Sequence, residues 1–179
     1  MNPQIIYIKL KNIEGIGIYP YENKIKDILF LFKGCGDYQL KDAFIFHYKF
    51  LLKTIFFDYV IVPVPSFNEH NLKRGFNHVQ EMFSCLSLPI INCLEKIEDI
   101  KQSSLKKDNR QEISKYLIIN ENHKKLINKK VLLVDDVLTT GSTLCACYEL
   151  LKMAKIKSIF FVVMSYTCRE RSQFEDEKK

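Results

Sequence analysis

Val131-Leu132-Leu133-Val134-Asp135-Asp136-Val137-Leu138-Thr139-Thr140-Gly141-Ser142-Thr143-Leu144 is the stretch that decides how this sequence folds. Its four leading apolar residues predict a buried strand, and Asp135 and Asp136 stand where that strand leaves the sheet. The small and hydroxyl residues that follow feed a helix predicted over Ser142–Ala154, with Leu144, Cys147, Tyr148, Leu151 and Ala154 on one face. In open α/β sheets, ligands bind beyond the carboxyl ends of the strands. A loop entering a helix N-terminus offers unpaired N–H groups and the positive end of the helix dipole, so it favours a phosphate. Thr139, Thr140, Ser142 and Thr143 add hydroxyl donors, and Gly141 lets the backbone approach the anion. The two carboxylates would repel a phosphate, but they suit the vicinal hydroxyls of a ribose. An acidic pair followed by an anion loop is what a ribose 5-phosphate requires. A ligand-free strand–turn–helix gives no reason for two adjacent acids at a strand end. Neither G-x-x-x-x-G-K-[ST] nor a G-x-G-x-x-G after a strand occurs.

Outward from this segment the pattern alternates strand and helix. Tyr59–Val64 is a continuous apolar run stopped by Pro63 and Pro65, as a buried parallel strand requires. Asn77–Leu86 predicts a short helix, Pro89–Leu94 and Tyr116–Ile119 predict strands, and Ser158–Met164 predicts the last strand. Upstream, Ile5–Leu10 and Gly17–Tyr21 predict a hairpin. Two helical stretches follow it, one through Ile25, Ile28, Leu29 and Phe32, the other through Leu40, Phe44, His47 and Leu51, with Asp37 placed to cap the second. The expected class is therefore α/β, an open, mostly parallel sheet flanked by helices. Residues 1–53 are expected to form a small N-terminal hood, 54–168 the core, and 169–179 a charged tail.

The bulk numbers agree with one soluble domain. The chain has 179 residues, 47% hydrophobic and 27% charged, with a net charge of +6 that suits phosphates but also an ordinary Lys-rich surface. The six cysteines form no C-x-x-C pair, so no zinc ribbon or thioredoxin motif is readable. The expectation is reduced thiols in the cytoplasm, with no signal peptide and no membrane insertion.

Two further stretches carry chemistry. Val62-Pro63-Val64-Pro65-Ser66 ends the first strand in a loop, and Lys73-Arg74-Gly75-Phe76-Asn77 follows. Pro65 and Ser66 could shape a diphosphate cradle, with Lys73 and Arg74 supplying charge; a rigid strand exit and a basic turn explain them equally well. Gln102-Ser103-Ser104-Leu105-Lys106-Lys107-Asp108-Asn109-Arg110 has the length of a functional loop, although on its own it reads as a solvated connection.

Taken in order, V-P-V-P, R-G-F-N, Q-x-x-L-x-x-x-x-R and D-D-x-x-T-T-G resemble the ComF family, phosphoribosyltransferase-like proteins linked to bacterial competence. The resemblance covers about residues 19–164. It implies a type I phosphoribosyltransferase fold that binds 5-phosphoribosyl diphosphate (PRPP), with Asp135 and Asp136 at the ribose hydroxyls and Thr139–Thr143 around the 5-phosphate. It implies Pro65, Ser66, Lys73 and Arg74 at the diphosphate, with Lys106, Lys107 and Arg110 closing over it, and Mg²⁺ carried on the ligand without a dedicated protein cage. The chain departs from the family in three places. No cysteine precedes Cys35, so no zinc is expected; Ile113 replaces a family Asn; the glycine usual near Ser104 is missing.

Three functions stay open at this point. The first is a ComF-like protein that handles incoming single-stranded DNA, with other competence proteins as partners and a basic groove near Lys73, Arg74, Lys106 and Lys107. The second is a nucleobase salvage enzyme. The third is a non-catalytic PRPP-sensing regulator. The Arg74-Gly75-Phe76-Asn77 stretch favours the first, and turnover and acceptor are not legible. Tyr38, Phe44 and His47 are candidates to stack on a base, but their helical spacing predicts core, and the four histidines read as lone, satisfied imidazoles.

Overall fold

Apolar alternation builds the elements of this chain, and a computed structural model describes residues 4–66, 68–97 and 116–167. In chain order they are β1 (Ile6–Leu10), β2 (Ile13–Pro20), α1 (Asn23–Leu29), α2 (Lys49–Ile55), β3 (Tyr59–Pro63), α3 (Asn68–Arg74), α4 (His78–Ser84), β4 (Leu94–Lys96), β5 (Leu117–Ile119), β6 (Lys130–Leu138), α5 (Ser142–Lys152) and β7 (Ser158–Tyr166). The main sheet has the order β1-β2-β7-β6-β3. β2, β7, β6 and β3 run parallel, and β1 joins antiparallel as one edge.

The central strand β6 is apolar on both sides because both sides are covered. Val131 and Leu133 face one cluster, with Leu144, Cys147 and Leu151 of α5 and with Cys93, Leu94 and Leu117 around the small β4–β5 sheet. Leu132 and Val134 face the other, with Ile25 and Leu29 of α1, Leu52 of α2 and Val79, Met82 and Phe83 of α4. The α/β expectation, with helices on both faces of a mostly parallel sheet, is met. The close approach of β2 to β7 needs Gly15, where a Cβ would stand 2.4 Å from the Phe161 carbonyl oxygen.

Several local expectations are corrected. The N-terminal hairpin forms, and its β2 pairs in parallel with β7, so the hairpin extends the central sheet. The reason is that it is apolar on two faces: Ile8 and Ile13 are buried in one cluster, Ile18 and Tyr19 in the other. The stretch expected as one helix through Leu40 and Leu51 breaks into short 3₁₀ turns, Tyr38–Asp42 and Phe46–Tyr48, before α2. Leu52, not Leu51, takes the buried side of α2. Asp37 does cap, accepting from the Gln39 amide, but it caps a 3₁₀ turn. Pro89–Leu94 is not a strand of the main sheet. Ile90 makes one bridge to Ile61, and ladder pairing resumes only in β4, antiparallel to β5. Finally, β6 does not end at Val134 but runs on through both aspartates to Leu138.

Candidate functional site

At the carboxyl ends of β3, β6 and β7 the chain turns outward, and two groups of polar side chains collect there. The first is built from one segment. A pocket is lined by Asp135, Val137, Leu138 and the run Thr139–Leu144. Gly141 adopts φ +69°, and a Cβ at that position would come within 2.8 Å of Leu10, so glycine is needed both for the turn and for the contact. Thr139 and Thr140 are exposed, and the Thr140 and Ser142 hydroxyls lie 3.0 Å apart at the start of α5. The Thr167 amide donates to the Leu138 carbonyl (3.1 Å), tying the loop entrance to the end of β7. Exposed hydroxyls around a helix N-terminus make a receptor for an anion.

The second group comes from four separate segments. Asp136 is 6% exposed. Its Oδ2 accepts from Lys33 Nζ at 2.5 Å and from His78 Nε2 at 3.0 Å, and its Oδ1 accepts from the Val137 amide at 2.7 Å. His78 opens α4, whose N-cap Asn77 accepts from the Val79 and Gln80 amides. Arg74 closes the ring: Nη1 lies 2.8 Å from His78 Nδ1, and Nε donates to the Lys33 carbonyl at 2.7 Å. A guanidinium only donates, so Nδ1 is the acceptor, and the imidazole proton sits on Nε2, pointing at Asp136. Burial lowers the His78 pKa, against the pull of Asp136, which keeps this neutral tautomer.

The two acids therefore diverge. Burial alone would raise the Asp136 carboxyl, but the His78 hydrogen bond and the Lys33 ammonium outweigh it and hold it below the usual carboxylate range. Asp135 lies on the opposite face, where burial and the neighbouring Asp136 charge push its carboxyl well above that range. One Asp135 oxygen accepts from the Asp136 amide at 2.8 Å. Lys96 of β4 is on the Asp135 side, its ammonium disfavoured by burial and supported by Asp135.

Of the residues singled out from the sequence, Asp135 and Thr139–Thr143 come together in the pocket. Asp136 is drawn into the ring on the other face. Pro65 and Ser66 leave β3 beside β6, with the Val64 amide donating to the Val134 carbonyl and the Ser66 hydroxyl donating to Asn71 Oδ1 at 2.8 Å. Lys73 and Arg74 end α3, so they are helical rather than part of a turn. Lys73 is exposed, while Arg74 directs two of its donor groups inward. Lys106, Lys107 and Arg110 lie outside the described residues, as do Cys168 and the tail. Phe44 is core, Tyr38 donates to Glu81 at 2.8 Å, and His47 is exposed. Lys33 and Lys96 escaped sequence reasoning, and no local pattern around either signals a partner across the fold. His78 is buried and satisfied as expected, but its partner is an acid of the site.

Comparison with known proteins places these features in a family. The phosphoribosyl transferase domain family matches residues 39–178. The competence protein ComFC of Bacillus subtilis is 30% identical over 145 residues, covering 79% of this chain and 60% of that protein. ComFC of Streptococcus pneumoniae is 30% identical over 151 residues, 82% of this chain and 67% of that protein. The chain thus spans about three fifths to two thirds of the length of these relatives. Among solved structures, a hypoxanthine phosphoribosyltransferase from Staphylococcus aureus aligns with a TM-score of 0.40 at 16% identity, over 78% of this chain and 62% of that one. An adenine phosphoribosyltransferase aligns with a TM-score of 0.46 at 17% identity, over 81% and 78%. With the family match spanning most of its length and ComFC relatives aligning over four fifths of it, this chain belongs to the phosphoribosyl transferase domain family and, within it, to the ComF group.

Proposed function

We propose that this chain binds PRPP in the β6–α5 pocket and acts in natural transformation, where incoming single-stranded DNA is handled. The observation that carries the ligand is the pairing of Asp135 with the hydroxyl-rich Thr139–Thr143 loop in one pocket. The loop's amides and hydroxyls would hold the 5-phosphate, and Asp135 would accept from a ribose hydroxyl. The diphosphate would extend toward Pro65 and Ser66 at the end of the neighbouring strand β3, with Lys73 and the Lys106–Arg110 stretch as its cations. Transfer would break the bond between C1′ and the diphosphate oxygen as an acceptor attacks the opposite face, the diphosphate leaving with the electron pair. The competence role is supported by the names of the relatives, and the exposed Lys73 offers a cation to a phosphate backbone.

Magnesium fits this reading as an ion that arrives on the ligand. Among the described residues no three His, Cys, Asp or Glu side chains converge to cage a metal, and Asp135 stands at the pocket to hold a water of a hydrated ion. Once bound, the ion would neutralise charge on the departing diphosphate. Among the described residues no helix is long and apolar enough to cross a membrane.

Titration calorimetry with PRPP and Mg²⁺ tests the proposal. Wild type should bind in the micromolar range, about −8 kcal/mol. The Asp135→Asn, Asp136→Asn double variant should lose binding at matched thermal stability. Wild-type affinity in the double variant would refute the assignment of the acids. A steep fall of oligonucleotide binding with salt would support the DNA role, and no binding at low salt would remove it.

A further inference from the structure

Helix α2 is apolar on both of its sides, although only one of them is packed. Leu52 and Phe56 turn inward and are buried with Ile61 of β3 and Leu132 of β6. On the outer side Phe46, Phe50 and Phe57 stand 69%, 82% and 73% in solvent, with Leu51 and Ile55 half exposed beside them. Phe50 and Thr54, like Leu51 and Ile55, are one helical turn apart, so these side chains form a strip along α2. The three phenylalanines alone leave about 450 Å² in water, the size of the largest apolar patch on an ordinary monomer. The rim of the strip is basic. No acid occurs between Asp42 and Asp58, while Lys49 and Lys53 lie along the helix. Asp58, at the far end, is already paired with Lys130 at 2.6 Å. The strip is also poor in directional hydrogen-bonding groups, because the Thr54 hydroxyl donates back to the Phe50 carbonyl at 2.8 Å. A protein partner asks for about one hydrogen bond per 100–200 Å². A second copy pressed on the same strip would set lysines against lysines with no acid to pair them. An anionic lipid surface has neither requirement: it takes up rings one by one in its interfacial layer and ammonium groups at its headgroups.

We infer that α2 is a peripheral membrane contact: Phe46, Phe50 and Phe57 enter the interfacial layer of an anionic bilayer, and Lys49 and Lys53 meet its phosphates. The helix lies on the bilayer and does not cross it. α2 covers the face of the sheet opposite α5, so docking leaves the Thr139–Thr143 pocket uncovered. The contact does not depend on what that pocket binds.

The chain contains no tryptophan, so one introduced indole reports its own surroundings. Phe50→Trp puts it on the strip, and Met153→Trp puts it at the end of α5, on the opposite face, where Met153 is also well exposed. The full chain is titrated with vesicles of phosphatidylcholine, alone or mixed equally with phosphatidylglycerol, with thermal unfolding as the folding control. On the anionic vesicles Phe50→Trp should shift its emission to the blue and gain shielding from acrylamide, and Met153→Trp should do neither. In co-sedimentation Phe50→Ser should bind about tenfold more weakly than wild type, and Lys53→Gln about fivefold more weakly. Failure of wild type to sediment with anionic vesicles would overturn the contact. Equal shifts in both Trp variants would overturn it too, since the net charge of the chain and not α2 would then carry the adsorption. A blue shift of Phe50→Trp that follows protein concentration without vesicles would assign the strip to a second copy of the chain and remove the lipid reading.

Discussion

Asp135 and Asp136 are adjacent, identical in chemistry and carried by the same strand, yet they end in opposite surroundings. β6 turns successive side chains to opposite faces of the sheet. Asp135 lines the pocket of the Thr139–Thr143 loop, on the side of α5 and Lys96. Asp136 reaches the other face, where Lys33 and His78 hold it. One carboxyl is pushed up and the other held down, although the residue type and the depth in the sheet are nearly the same. The difference teaches that burial sets the sign of the shift at Asp135 but is overruled at Asp136. Burial raises both carboxyls; the partner cation and the donated imidazole hydrogen bond decide which acid stays ionised.

The contrast breaks most visibly in stability. Asp136→Ala leaves the buried His78 Nε2–H without an acceptor and is expected to cost about 2–3 kcal/mol of unfolding free energy. Urea unfolding at pH 7 measures it, and a cost no larger than that of Asp135→Ala would erase the distinction between the two acids. Asp135→Asn should act the other way, with a gain of under about 1 kcal/mol at pH 7, because the neutral amide keeps the shape and removes a charge the site disfavours. Since the folded carboxyl titrates above its ordinary 3.8, wild-type stability should decline as pH rises above that value, while the unfolded chain releases the proton first. The advantage of the Asn variant should therefore grow from pH 4 upward; an advantage that shrinks would contradict the raised carboxyl.

The smallest expected effect sharpens the comparison through its imidazole. His78 titrates below its ordinary 6.5, so the folded protein binds fewer protons than the unfolded chain, and stability should fall as pH drops below 6.5. His78→Gln, which can accept from Arg74 and donate to Asp136, should flatten the slope between pH 7 and 5 by less than about 1 kcal/mol. An unchanged slope would place the acid sensitivity elsewhere.

Much of the β6–α5 segment was legible because its parts are close in sequence. The apolar run of β6, the hydroxyl loop with Gly141 and the amphipathic start of α5 occupy fourteen consecutive positions from Val131 to Leu144. Local pattern also placed Phe44 in the core and Asp37 at a cap, although it overestimated the regularity of the helix that follows Asp37. The N-terminal hairpin was readable as a hairpin. Its docking against β7 was not, because the hydrogen bonds of β2 go to strand residues such as Phe161 and Val163, nearly 150 positions away.

By itself, then, the sequence determined the class of sheet, the strand that carries the acids and the hydroxyl-rich loop that enters α5. Each of these depends on interactions within a few residues: side-chain period, chain reversal at Gly141 and the dipole of a helix start. Only the tertiary structure decided that the acid pair is divided between two faces, and that Lys33, Arg74 and His78 converge on one member of it. Electrostatic partners are chosen by distance in space. Asp136 draws them from the turn Phe30–Gly34 that follows α1, from α3 and from α4, segments far apart in sequence that meet only once the chain is folded.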